Sequence, residues 1–166
     1  MGADFDLLAP QVRGMHELAG AGLAEGRATV TRGANPLARL IAKAMGFPPA
    51  GTDVSVTVRF FERDGRETWV RNFGGAAFSS QLSQSGGLLI ERFGPLRFGF
   101  ELTGEGRGLS MHLRRWWLGP ISVPLALGPR GVARETEVDG AFHFDVPIAL
   151  PLAGPTVSYR GWLKRL

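Results

Sequence analysis

The groups with which this chain could do chemistry are charged residues that fall in phase with apolar ones. Arg71 shares a strand face with Trp69 and Phe73, Glu91 with Leu89 and Phe93, and Arg115 with Met111, Leu113 and Trp117. Asp139-Gly140 is a two-residue hairpin signal, and in that register Glu135 opposes Phe144 and Glu137 opposes Phe142, which adds acid to the same face. An unpaired charge in a dry core costs several kcal/mol, so such residues must pair, reach water or line a wet cavity.

Three outcomes fit that pattern. A bulge can flip the local phase, or the arginine stems can snorkel to a rim, leaving nothing functional. Alternatively, a concave sheet holds an apolar small molecule with an anionic end. Trp69, Phe73, Phe98, Phe100 and Trp117 then supply area, Arg71 or Arg115 meets a carboxylate or phosphate, and Glu91 and Glu135 stand beside them. The third is acid/base chemistry by Glu91 or Glu135 with a pKa raised by burial. No nucleophile, oxyanion hole or metal motif accompanies these carboxylates, so no catalytic residue, metal ligand or cofactor is assigned, and the reading leans towards a non-enzymatic binding module.

The elements that position these residues are mainly strands. Over 87–118, Leu89, Glu91, Phe93, Phe98, Phe100, Leu102, Leu109, Met111 and Leu113 alternate with polar residues, the pattern of an antiparallel meander. Val54, Val56, Val58 and Phe60 lead to the Asp64-Gly65 hairpin signal, which sets Phe60 opposite Trp69 and Val56 opposite Phe73. Gly26–Arg32, Phe78–Ser85, Val132–Val138, Phe142–Leu150 and a run from Val157 to Leu163 complete the strands. Gly119–Gly131 reads as an apolar loop or short edge strand.

Two short helices are expected before residue 50. Pro10 opens a turn through Val12, Met15 and Leu18. Asn35-Pro36 supplies an N-cap and first helical position for Leu37, Leu40, Ile41, Ala44 and Met45, which form an apolar stripe opposite Arg39 and Lys43. That stripe should pack on the sheet as a lid; a membrane-surface helix is the sharper alternative. Gly20-Ala21-Gly22 with Gly26 reads as a flexible connection rather than a dinucleotide loop. The expected fold is α+β, mostly β: one domain over 1–166, with short helices in 1–50 and a strongly bent antiparallel meander of seven or eight strands, or a partly open barrel, over 52–166.

Composition narrows the function classes. The 166 residues suffice for a core without disulfides, and the absence of cysteine removes thiolate metal sites and cysteine nucleophiles. His16, His112 and His143 lack the spacing of a helical metal site. The net charge of +4 comes from scattered arginines rather than a basic cluster interleaved with aromatics, which argues against nucleic acid as a partner. No apolar run approaches a transmembrane length and no basic, then hydrophobic, start suggests secretion, so a cytoplasmic protein is expected.

The segments Gly33–Leu40 (GANPLARL), Trp69–Gly75 (WVRNFGG), Gly87–Leu96 (GLLIERFGPL) and Tyr159–Leu163 (YRGWL) resemble the bacterial domain-of-unknown-function family DUF4166. The resemblance spans nearly the whole chain. Members occur alone or behind NAD(P)-binding oxidoreductases of the saccharopine-dehydrogenase or short-chain type. It implies an accessory role, holding substrate or docking on an oxidoreductase partner, and transfers no site residues. An exposed apolar Pro120–Leu127 segment would favour docking.

Overall fold

The computed structural model describes residues 6–17 and 20–166. Helix α1 (Pro10–His16) precedes strand β1 (Ala21–Arg32), and helix α2 (Pro36–Ala44) precedes β2 (Gly51–Arg63). Then follow β3 (Arg66–Phe73), β4 (Ala76–Ser85), β5 (Leu88–Phe93), β6 (Leu96–Glu105) and β7 (Gly108–Leu118). After β8 (Ile121–Val123) and a 3-10 turn (Leu125–Leu127) come β9 (Ala133–Val138), β10 (Ala141–Leu150) and β11 (Gly154–Arg165).

The strands close on themselves. Each of β1 to β7 pairs antiparallel with the next, β7 pairs with β9, and β9, β10 and β11 lead back to β1. The result is a mostly-β protein built on a closed ten-stranded antiparallel barrel with two helices, whereas β8 pairs with β7 alone. The expected strand count was therefore low and the barrel is closed rather than partly open. Closure rests on two seams between strands distant in sequence. The β1–β11 seam runs from Ala24↔Arg165 to Arg32↔Val157. The β7–β9 seam is short, Leu109↔Glu135 to Met111↔Ala133, and the loop 119–132 covers the wall above it.

Local turn chemistry set the hairpin registers correctly. Asp64 has φ 54° and Gly65 φ 73°, Asp139 φ 50° and Gly140 φ 70°, the double positive φ that two-residue hairpins require. Phe60 opposes Trp69, Val56 opposes Phe73, and Glu135 opposes Phe144. Two other expectations are corrected. The glycine-rich 20–26 stretch is not a flexible connection, since Gly22 and Gly26 lie within β1. Glycine is needed there because the wall backbones touch: a Cβ on Gly26 would lie 1.8 Å from the Trp162 carbonyl oxygen.

The two helices sit at opposite ends of the barrel. Turns 64–65, 86–87, 106–107 and 139–140 define a lower end, and α1 closes it. Ala9 N donates to Arg107 O (2.8 Å), Gln11 N to Glu137 Oε2 (2.8 Å), and Arg165 Nη1 to Gly14 O (2.6 Å). Val12 and Met15 are buried with Phe60, Trp69, Leu82, Leu109, Phe142, Phe144 and Leu163, which together form the floor of the barrel interior. Leu18, assigned to the same helix from sequence, lies outside the described residues.

Helix α2 lies at the upper end, where β1 hands over to β2. Asn35 caps it, its Oδ1 accepting from Leu37 N at 2.9 Å. The helix does not pack with the leucine stripe as expected. Ala38 and Ala42 are its buried residues, and Leu37 and Leu40 are exposed. The small residues let the helix lie close against β11, which turns Leu37 and Leu40 outward, while Ile41 and Met45 of the same stripe face the barrel interior.

Candidate functional site

Above that floor the barrel encloses a cavity of about 290 Å³. Its wall is aromatic and aliphatic. Phe73 stacks on Phe78 (5.8 Å between centroids, 7°), Tyr159 lies 5.4 Å from Phe73, and Phe93 5.6 Å from Phe78. Phe47 reaches in from the chain after α2 and meets Phe78, Phe93 and Tyr159. Arg32 holds that segment in place, with Nε donating to Pro48 O at 2.7 Å and Nη2 donating to Phe47 O.

A track of polar groups crosses this apolar interior. Arg71 projects inward from β3, Nη1 donating to Ser80 Oγ at 2.7 Å and Nη2 to Glu91 Oε1 at 3.4 Å. Its guanidinium lies over Trp69 at 5.0 Å and Phe78 at 5.8 Å. The other face of the track begins at Trp69, which stacks on His16 at 5.9 Å and donates Nε1 to Glu67 Oε2 at 3.0 Å. His16 Nε2 lies 2.5 Å from Glu135 Oε2. Two ion pairs, Arg71–Glu91 and His16–Glu135, thus flank one indole ring.

Electrostatics keeps these groups in defined states. Burial pulls the His16 imidazole down, but the charge and hydrogen bond of Glu135, helped by Glu67, outweigh it and hold the pKa above the ordinary value of 6.5. Burial drives the Tyr159 phenol well above its ordinary range; Arg71 and Arg32 oppose that shift and Glu91 reinforces it. Tyr159 is therefore a neutral hydroxyl facing the cavity near Arg71. Among the described residues no group of three or more His, Asp or Glu side chains could hold a metal ion.

Seven of the residues singled out from sequence line this cavity together: Trp69, Arg71, Phe73, Glu91, Phe98, Phe100 and Glu135. Arg115 and Trp117 do not. Gly99 pairs with Arg115 and Phe100 with Leu113, which leaves Arg114 as the extra residue of a β-bulge. Beyond it the phase of β7 reverses. Arg115 is exposed, and Trp117 lies outside the wall, 5.2 Å beneath the Arg97 guanidinium. Trp116 takes the inward position instead, stacking on Phe98 at 6.4 Å and donating Nε1 to Pro124 O at 3.0 Å.

His16, Phe47, Phe78, Trp116 and Tyr159 escaped the sequence reading. Tyr159 alternates with Val157 and Leu163 as an inward residue, so parity was available for it. For His16 no such signal exists, because its place depends on where α1 plugs the barrel.

Comparison with known proteins supplies a family and similarity to solved structures. No curated protein matches the chain. Among solved structures, secretory abundant heat soluble protein 4 from Ramazzottius varieornatus is similar at 12% identity, covering 87% of this chain and 93% of that one, with a TM-score of 0.41. The family model described as Domain of unknown function (DUF4166) matches residues 8–163. The chain belongs to that family.

Proposed function

We propose that the barrel is a binding module for an apolar small molecule with an anionic end, the tail occupying the cavity and the acidic head meeting Arg71. The observation that carries this reading is the Arg71 guanidinium on the wall of a chamber lined mainly by aromatic and aliphatic side chains. Arg71 has five donor hydrogens and gives one to Ser80 and one, at the long distance of 3.4 Å, to Glu91. Donors therefore remain for a carboxylate or phosphate, and the neutral Tyr159 hydroxyl offers a second donor nearby. The cavity volume of about 290 Å³ lies at the small end of ligand sites, roughly 300–1,000 Å³, which suits a slender chain better than a broad ring system.

The test is uptake by delipidated protein of a long-chain carboxylate and of the alcohol of equal length, followed calorimetrically. Arg71→Met is expected to weaken the carboxylate about tenfold or more, from loss of a charge-assisted hydrogen bond, and to leave the alcohol unaffected. Equal carboxylate affinity in both proteins, or no uptake by either, overturns the proposal.

An accessory role on an NAD(P)-dependent oxidoreductase is the second reading. It is supported by exposure of Ile121, Leu125 and Leu127 in the segment from which docking was expected. Acid/base chemistry draws support only from His16 lying within reach of Glu135. Co-purification of this chain with such an oxidoreductase from its own host tests the accessory role.

A further inference from the structure

The upper end of the barrel carries apolar side chains and cations, and its connecting segments carry no carboxylate. Those segments are 33–50, 74–75, 94–95, 119–132 and 151–153, and their charged residues are Arg39, Lys43 and Arg130. None of the three pairs with a carboxylate among the described residues. Nearby acids on the strands are engaged elsewhere: Asp53 faces Arg27 at 3.4 Å, and Glu91 points inward to Arg71. By contrast, Asp6, Glu17, Asp64 and Asp139 belong to the segments of the lower end.

Large apolar residues stand among those cations. Leu40 is 65% exposed, Ile121 64% and Leu127 58%, with Leu37, Leu125 and Leu152 also open to solvent. Helix α2 is arranged for this. By burying Ala38 and Ala42 it presents Leu37 and Leu40 outward beside Arg39 and Lys43, the face of an interfacial helix. Ile41 and Met45 of the α2 segment and Leu127 and Pro129 of the loop also line the cavity. The outward apolar face is thus continuous with the mouth of the interior.

We infer that the upper end docks on the surface of an anionic lipid bilayer, with Leu37, Leu40, Ile121, Leu125 and Leu127 entering the acyl boundary and Arg39, Lys43 and Arg130 meeting headgroup phosphates. Charge complementarity decides for this occupant. A leaflet rich in anionic headgroups attracts a basic face whose connecting segments carry no carboxylate, and accepts separate protruding leucines without needing a shaped partner. The inference goes beyond the ligand proposal and does not depend on what the cavity holds.

The test is flotation of the delipidated full chain with phosphatidylcholine vesicles, alone and mixed with phosphatidylglycerol. Partition into the mixed vesicles at low salt is expected, with weakening at high salt. Leu37→Glu/Leu40→Glu should lose at least about tenfold of that partition, and Arg39→Glu/Lys43→Glu a comparable amount. Phe61→Glu, exposed towards the lower end, should retain it. All four positions changed in the paired variants are solvent-facing, and circular dichroism verifies that the variants stay folded. Absence of partition into the anionic vesicles, or equal partition of the Leu37→Glu/Leu40→Glu protein and its parent, overturns the inference and leaves the face to a protein partner.

Discussion

His16 Nε2 lies 2.5 Å from Glu135 Oε2, an ion pair that ties the last turn of helix α1 to strand β9 across 119 positions of sequence. Both side chains are almost wholly removed from solvent, and Glu135 sits at the short β7–β9 seam. The pair therefore joins the helical plug to the less extensively paired closure of the wall. A buried pair of this kind specifies an arrangement more than it stabilises one, because desolvation offsets much of the attraction.

Stability should accordingly fall with alkaline pH. The His16 pKa is raised in the folded state above the ordinary 6.5, so the pair's contribution is complete below 6.5 and is lost as pH rises through the raised value. Urea unfolding across that range should show the decline in the parent protein and none in His16→Leu/Glu135→Leu. Glu135→Gln alone should cost about 1.5–3 kcal/mol, because burial then leaves the His16 imidazole neutral and the charge-assisted hydrogen bond is lost. A parent protein with a flat profile above 6.5 would contradict this account.

Glu91 competes with any acidic ligand for Arg71. Glu91→Gln should therefore tighten the long-chain carboxylate, by about fivefold to tenfold if one charge-assisted bond is released to the ligand, while the matching alcohol gains nothing. Arg115→Ala should change neither, because the bulge at Arg114 places that guanidinium outside the wall. Calorimetric titration of the three proteins distinguishes these outcomes.

Two glycines should respond in opposite directions to the same substitution. At Gly26 an added methyl meets the Trp162 carbonyl oxygen at 1.8 Å in the β1–β11 seam, a backbone atom that cannot swing aside. Gly26→Ala should cost about 2 kcal/mol or more. Gly14, inside α1, has no atom within 4 Å of the same position, and Gly14→Ala should stabilise by about 0.5–1 kcal/mol. Denaturant midpoints measure both.

Side-chain parity, hairpin register and the α2 cap were legible in the sequence because each depends on neighbours a few residues away. A strand repeats every two residues, so once Asp64-Gly65 and Asp139-Gly140 fix their turns, the inward placement of Arg71 and Glu135 follows. Glu91 follows likewise from the alternation of β5. The same register sets Asp145 opposite Arg134, yet Asp145 accepts from Arg160 on its other neighbour at 2.6 Å, because a strand in a closed wall has two partners.

Tertiary structure alone decided the rest. The bulge that turned Arg115 and Trp117 outward and Trp116 inward is a misfit between β6 and β7, visible only when both strands are paired. Which face α2 buries was settled by how closely the helix must approach β11, and small alanines met that demand where an amphipathic stripe predicted leucines. His16 reached Glu135 because a ten-stranded wall leaves an open end that α1 fills. No local period encodes that meeting, since its energy comes from closing a barrel whose first and last strands must find each other.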